Sequence, residues 1–417
     1  MPIIFPPTTD EAIFTVSEQS SAAIQNTSPL DRYKISQATI NDTSIDIEWG
    51  DGHQSAYHHV WLRHNCGCAS CRHSGTDQNM NLIENIPLDI KPSELNLTAD
   101  WIEIIWAGEA HKTSYQMEWL RSHCYSDEER EKRDTRPTLI DADYAPSISR
   151  TDYQCYLKTD AGLLETMQAV NEFGIALVTA AVPEDETIVH LAQRFGPIRE
   201  TNYGAINDMK VHSDQIVISY TDAALTAHCD EPYCFEPLGI GFFHCMKSAV
   251  DQGGTSIFVD CFKIAEDLRT EDPEAFEILS TVPLQYMRDH ADEQEYRAEG
   301  RLIALDYFGH INGVRYAERP LAPLDIPGNL IRPYYRAFAE FTRRVRDPKN
   351  EIRFKMDTGD VVIFDNQRMT HGRTAFTGDR HLRTAYVERD FFHSKLRVLS
   401  RRLGKPLVGR LPGGARS

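Results

Sequence analysis

No run of the roughly 20 apolar residues that a membrane-crossing helix needs occurs in the 417-residue chain, so no membrane partner is expected. Positive charge is scarce: 44 Lys and Arg stand against 62 Asp and Glu, a net charge of −18. Such a surface repels phosphate backbones, which argues against a nucleic-acid partner. The first 30 residues lack the basic and apolar regions of a signal peptide and have too few arginines for a transit peptide, so a cytoplasmic location is expected. Nine cysteines are too sparse and too uneven for a disulfide framework. No internal repeat is evident. What remains is ordinary globular material, 41% hydrophobic and 25% charged, long enough for a sizeable core and for about two or three domains.

The chain changes character along its length. Residues 1–30, rich in Ser, Thr, Pro and Gln, read as a flexible tail. From about 33 to 62 the pattern is strand-like. Ile45, Ile47 and Trp49 alternate before a turn at Asp51-Gly52, and "WIEIIWAGEAHKTSY" repeats the device around Gly108. The charged segment 126–137 reads as a solvated helix or a linker, placing a domain boundary between about 125 and 150. Beyond it, "TDAGLLETMQAVNEFG" and "DETIVHLAQRFG" read as helices closed by glycine. "FKIAEDLRTEDPEAFEILS" and "IRPYYRAFAEFTRRVRD" read as two further helical stretches. Between these lie many short strands, "IVISYT", "LGIGFFHCM", "TSIFVD", "RLIALDYFG", "DVVIFDN" and "LRTAYVERD". Many strands, few helices and no βαβ rhythm point to an antiparallel barrel or jelly roll.

Three residue groups carry chemistry. Cys66, Cys68 and Cys71 are spaced for a metal. His228 and Asp230, two apart, project from one face of a strand. His371 follows the buried run Val361–Phe364. Two histidines and a carboxylate form the facial triad of non-haem Fe(II) oxygenases, which leaves three positions for a bidentate co-substrate and dioxygen. Arg380 lies beyond His371, and its guanidinium suits a carboxylate. In a strand, Arg380, Leu382, Thr384 and Tyr386 share one face and Arg383 takes the other. Arg380 is therefore the preferred anion anchor and Arg383 the second.

With these residues in view, the chain resembles the γ-butyrobetaine hydroxylase and trimethyllysine dioxygenase group of Fe(II)/2-oxoglutarate oxygenases. The resemblance runs from about residue 33 to 400 through "WLRHNCGCASCR", "RETNYG", "HCDEPY", "FFHCMKSAVDQGGTSIFVD", "FKMDTGDVVIFDNQRMTHGRTAF" and "RHLRTAYVERD". It implies a mainly β fold with flanking helices (α+β), in which a double-stranded β-helix follows a small zinc-binding β domain. The expected boundaries are 31–125 for the zinc domain, 126–150 for a linker, 151–402 for the oxygenase domain and 403–417 for a C-terminal tail. By the resemblance, His228, Asp230 and His371 bind Fe(II), Arg380 holds 2-oxoglutarate, and Ser256 is a weaker helper. O2 is the other co-substrate, and ascorbate is expected to stimulate. His111 matches the fourth ligand of a structural Zn(II) site, with His64, His73 and His123 as competitors. Homodimerisation is a family tendency.

The substrate pocket departs from the family. Relatives surround a trimethylammonium with aromatic rings, a cation–π arrangement. Tyr203, Tyr220 and Tyr386 match those positions, and Tyr233 lies nearby. Asn207 stands where a large aromatic is expected, Glu231 follows the iron-binding Asp, and Val217 replaces a carboxylate-binding Asn. A carboxylate beside the iron favours a cation that donates hydrogen bonds. The expected function is oxidation, by hydroxylation, of an unactivated C–H bond in a small cationic, amino-acid-like or betaine-like molecule, releasing succinate and CO2. The alternatives are γ-butyrobetaine or trimethyllysine hydroxylation proper, desaturation or cyclisation, a cupin-like dioxygenase that does not use 2-oxoglutarate, and a non-enzymatic zinc-containing binding protein.

Overall fold

Twofold alternation builds the first part of the chain. In Ser44–Trp49, Ile45, Ile47 and Trp49 are buried and the residues between them point outward. The computed structural model describes residues 12–15, 31–210, 221–249, 253–290 and 294–407. Its chain divides between Asp134 and Thr135 into two units.

The N-terminal unit holds two antiparallel sheets. The first orders Ala12–Thr15, Ile35–Ile40, Ser44–Trp49 and Gln54–His58. The second orders Pro92–Leu97, Trp101–Trp106 and Lys112–Gln116. The tail reading is thus corrected at Ala12–Thr15, which pairs with Ile35–Ile40. Gly52 (φ +81°) and Gly108 (φ +76°) occupy the left-handed turn positions. The strand-like reading to residue 62 is also corrected. The strand stops at His58 and the helix His59–His64 follows, because His59, Leu62 and Arg63 are buried at helical spacing.

The same succession, hairpin then short helix, recurs at Met117–Ser122, and the two halves are copies. Trp49 Nε1–H donates to Ser55 Oγ and Trp106 Nε1–H to Thr113 Oγ1, each at 2.8 Å. The Tyr57 hydroxyl donates to Leu120 O at 2.7 Å, and the Tyr115 hydroxyl donates to Leu62 O. Each half thereby satisfies an end carbonyl of the other's helix. Arg63 pairs with Glu109 at 2.7 Å and Arg121 with Asp51 at 3.2 Å. The expected absence of a repeat is overturned. Residues that set the fold match between the copies, while many of the positions between them have diverged.

In the C-terminal unit, a six-stranded sheet orders Asn207–Lys210, His381–Val387, Ile240–Lys247, Val361–Asp365, Ile175–Thr179 and Arg150–Asp152. A four-stranded sheet orders Leu225–His228, Met369–Arg373, Ser256–Asp260 and Ile352–Phe354. Phe258 of the smaller sheet meets Phe364 of the larger edge-on at 5.2 Å, and Phe243, Leu382 and Met369 fill the same layer. The two sheets form the jelly roll. Val361–Asp365 is buried on both faces, because the helices Asp160–Phe173 and Arg389–Arg402 cover the outer one. Two expectations change. Arg150–Asp152 and Ile175–Thr179 run parallel, joined through helices. The stretch 262–280 is two helices, Cys261–Glu271 and Pro273–Thr281, broken where Asp272 caps the second and Pro273 opens it. "IVISYT" lies outside the described residues except for Thr221.

Candidate active site and metal centres

His228 ends the strand Leu225–His228 and stands directly opposite His371 of Met369–Arg373 in the sheet register. That pairing brings two imidazoles from distant sequence to one spot, with ring centres 4.8 Å apart. Asp230 completes the group. Its Oδ1 lies 3.3 Å from His228 Nε2 and its Oδ2 lies 3.1 Å from His371 Nε2. The three ligating atoms fall within 4.8 Å of one another, a donor set that fits Fe(II).

The surroundings orient each group. His228 Nδ1 is 2.9 Å from Thr226 O. A carbonyl only accepts, so Nδ1 carries the proton and Nε2 keeps its lone pair for a metal. Asn366 clamps Asp230 from both sides, accepting from its N–H at 2.8 Å and donating to its C=O at 3.1 Å. The Tyr386 hydroxyl donates to Asp230 Oδ2. Burial by itself would raise the Asp230 carboxyl, but the two imidazoles beside it, His371 foremost, hold it well below the usual range. Phe243, Phe258 and Phe364 pack their rings around His371, whose pKa burial draws down.

These groups line a cavity of about 720 Å³. Arg380, Leu382, Thr384 and Tyr386 all face into it, as strand parity requires, whereas Arg383 does not. Arg383 turns to the opposite face and pairs with Asp185 at 2.6 Å and Asp208 at 3.3 Å, so it is not brought to the anion position. Arg380 is 7% exposed, with its guanidinium 5.6 Å from the Phe376 ring. Gly254 (φ +69°) lies against its stem, and a Cβ there would sit 3.3 Å from Arg380 Cδ. No carboxylate among the described residues pairs with Arg380. A buried guanidinium of this kind fits a dianionic co-substrate. Ser256 also lines the cavity.

Tyr203, Asn207, Glu231, Tyr233 and Tyr386 line the cavity too, while Tyr220 and Val217 lie outside the described residues. Glu231 adopts φ +47°, a conformation uncommon for a residue with a side chain and held here by the neighbouring clamp. Burial, reinforced by the charge on Asp230, pushes its carboxyl up to about 7. Sequence reasoning missed Asn366 and Arg373. Arg373 reaches back to the Thr221 and Ala223 carbonyls, tying the strand that carries His371 to the segment leading to His228. Nothing in the local pattern distinguishes these two from surface polar residues.

In the N-terminal unit, His111 Nε2 stands 3.3, 3.9 and 3.7 Å from the sulfurs of Cys66, Cys68 and Cys71. The four donors lie within 4.8 Å of one another, a closed tetrahedral shell suited to structural zinc. The competing histidines are engaged elsewhere: His64 with Asn79, His73 with Thr76 and His123 with Trp119. The internal repeat places His53 and Cys124, 3.4 Å apart, at the positions of His111 and Cys66. In this copy Ser126 and Glu129 replace Cys68 and Cys71, and Arg121 holds Glu129 at 3.0 Å.

Comparisons with known proteins identify the family. Residues 141–386 match the family described as "Taurine catabolism dioxygenase TauD, TfdA family". Residues 35–120 match "Gamma-butyrobetaine hydroxylase-like, N-terminal". The gamma-butyrobetaine dioxygenase of Pseudomonas sp. (strain AK-1) is 31% identical over 363 residues, covering 86% of this chain and 94% of that protein. The mitochondrial trimethyllysine dioxygenase of Mus musculus is 32% identical over 355 residues, covering 82% of each. Among solved structures, a taurine dioxygenase from Burkholderia xenovorans aligns at 14% identity and a TM-score of 0.45, covering 61% of this chain and 90% of that one. The chain belongs to the TauD, TfdA family, in the group of the gamma-butyrobetaine and trimethyllysine dioxygenases, and is an Fe(II)- and 2-oxoglutarate-dependent oxygenase.

Proposed function

We propose that His228, Asp230 and His371 hold the Fe(II), that Arg380 takes the distal carboxylate of 2-oxoglutarate with Ser256 nearby, and that the enzyme hydroxylates a small cationic, amino-acid-like or betaine-like molecule. The carrying observation is the convergence of the three donors within 4.8 Å, in one cavity with a buried guanidinium that pairs with no carboxylate among the described residues. Fe(II) bound with 2-oxoglutarate supplies dioxygen activation and C–H oxidation, with release of succinate and CO2. The protein supplies orientation and exclusion of water. Thr226 O sets the His228 tautomer, Tyr386 steadies one carboxylate oxygen, and the three phenylalanines keep water from His371.

Relatives named for gamma-butyrobetaine and trimethyllysine support a substrate bearing a cationic nitrogen. Buried Glu231 beside the metal ligands favours a nitrogen that still carries N–H groups. Residues 31–125 would then serve as a zinc-stabilised domain, 126–150 as a linker and 151–402 as the catalytic domain, in a cytoplasmic homodimer whose mass light scattering would read. The test of function is succinate release from 2-oxoglutarate with Fe(II), ascorbate and O2, across a panel of betaines, amino acids and amines. Stimulation by one class, abolished in His371→Ala, is expected. Succinate formation that survives His371→Ala refutes the metal assignment, and γ-butyrobetaine as the best substrate refutes the preference for an N–H cation.

A further inference from the structure

Arg288 lies on the strand Pro283–His290, which pairs with Gln294–Arg301 in a two-stranded hairpin. The hairpin carries Arg288 into the wall of the cavity, beside Tyr203, Glu231 and Tyr233. Its guanidinium carbon is 5.5 Å from the centre of the Tyr203 ring and 5.8 Å from that of Tyr233. Tyr296, opposite Arg288 in the hairpin register, packs its ring 5.6 Å from that of Tyr233. The adjacent carboxylate, Asp289, is held by Arg297 at 2.6 Å. Arg288 Nε is buried and has no hydrogen-bond partner among the described residues.

These are two of the rings on which a quaternary ammonium would be expected to rest, and a cation of the protein's own already rests on them. A second positive charge on the same faces would be repelled at close range. A guanidinium oriented by two rings instead offers a planar fork to an oxyanion. We propose that Arg288 determines specificity by receiving a carboxylate of the substrate, with Tyr203 and Tyr233 orienting the guanidinium rather than caging a quaternary nitrogen. The substrate is then a zwitterion whose carboxylate points toward the hairpin and whose N–H-bearing cation points toward Glu231. This assignment rests on the oxygenase reading above and specifies which way the substrate lies.

The experiment compares matched pairs of probes, each an amine with its carboxylate and the same amine without it: lysine against 1,5-diaminopentane, and 4-aminobutyrate against propylamine. Succinate release is measured with the full-length iron-loaded enzyme. Wild type should prefer the carboxylate-bearing member by about tenfold or more in kcat/KM, as expected for a charged hydrogen bond. Arg288→Gln should erase that preference mainly through KM, and Arg288→Lys should restore part of it. Melting curves of both variants identify any loss of fold, and Arg288→Lys keeps the question open to test if Arg288→Gln unfolds. A preference unchanged in Arg288→Gln overturns the assignment. So does a panel in which no carboxylate-bearing probe raises succinate above the substrate-free rate. Complete absence of 2-oxoglutarate-dependent succinate from wild type overturns the oxygenase reading instead.

Discussion

Replacing Arg380 by methionine keeps an apolar stem against Gly254 and removes the charge that lies over the Phe376 ring. With the guanidinium 7% exposed and no carboxylate paired with it among the described residues, the charge burdens the fold until an anion arrives. Arg380→Met should therefore melt at the wild-type temperature or above it when 2-oxoglutarate is absent. The cost should appear in binding. Two charge-assisted hydrogen bonds to a carboxylate contribute about 1.5–3 kcal/mol each. Allowing for non-additivity, a loss of about 3 kcal/mol weakens 2-oxoglutarate roughly 100-fold. At a concentration of about 100 times the wild-type Kd, the co-substrate should stabilise wild type by about 2.7 kcal/mol. The same concentration should stabilise the variant by only about 0.4 kcal/mol. At about 2–4 °C per kcal/mol, the melting shift falls from roughly 5–10 °C to about 1 °C. Anaerobic thermal melts with Fe(II), titrated with 2-oxoglutarate, read both quantities. An unchanged 2-oxoglutarate shift would refute the anchor. A large drop in melting temperature without 2-oxoglutarate would show that the guanidinium is structural.

Asp260 and Arg368 form a buried bidentate pair, 0% and 2% exposed, that also collects the Ile140 N–H and the Thr138 and Glu172 carbonyls. Asp260→Asn should destabilise the catalytic unit by about 3–5 kcal/mol in denaturant unfolding, because it strands a buried charge; a loss below about 1 kcal/mol contradicts this. Cys66→Ser should lower zinc content and the melting temperature of the N-terminal unit, since metal-binding free energy there is folding free energy. Unchanged zinc and melting would count against the site. His244 is buried, and neither ring nitrogen has a partner among the described residues. Burial, aided by the charges of Arg383 and His381, draws its pKa down to about 4, and the nearby carboxylates Asp185 and Asp208 are held by Arg383. Its folded pKa lies below the unfolded value of about 6.5. Its contribution is therefore complete above about pH 6.5 and lost as pH falls toward 4, amounting to about 3 kcal/mol at most. His244→Leu should flatten unfolding free energy against pH in that window, and an unaltered slope would remove His244 as its source.

The residues proposed as metal ligands were legible because their chemistry constrains spacing. His-x-Asp places both groups on one strand face, and three close cysteines have few other uses. Strand parity separated Arg380 from Arg383 before any coordinates, because a period of two sends neighbours to opposite faces. The limit of the hairpin reading at His58 was not legible, since the run through residue 62 satisfies both periods until burial of His59, Leu62 and Arg63 selects the helix. The internal repeat does stand in the sequence, where His53, Tyr57, Trp61-Leu62-Arg63 and Cys66 recur at the same spacing as His111, Tyr115, Trp119-Leu120-Arg121 and Cys124. Unlike residues separate the matches, and only the structure shows that Tyr57 and Tyr115 bond to the opposite copy.

The sequence by itself determined the donor sets, the face on which each donor lies, and the alternation that makes two β-rich units. These depend on residue type and on short-range period alone. Tertiary structure decided which distant residues meet. It set His371 opposite His228 across a sheet, placed Asn366 on both sides of Asp230, and brought a hairpin arginine onto two tyrosines. Such meetings follow from strand register and from how the hairpin packs, which arise only when the whole core forms. That is why the class of reaction could be read from the chain, while the orientation of the substrate depends on the fold.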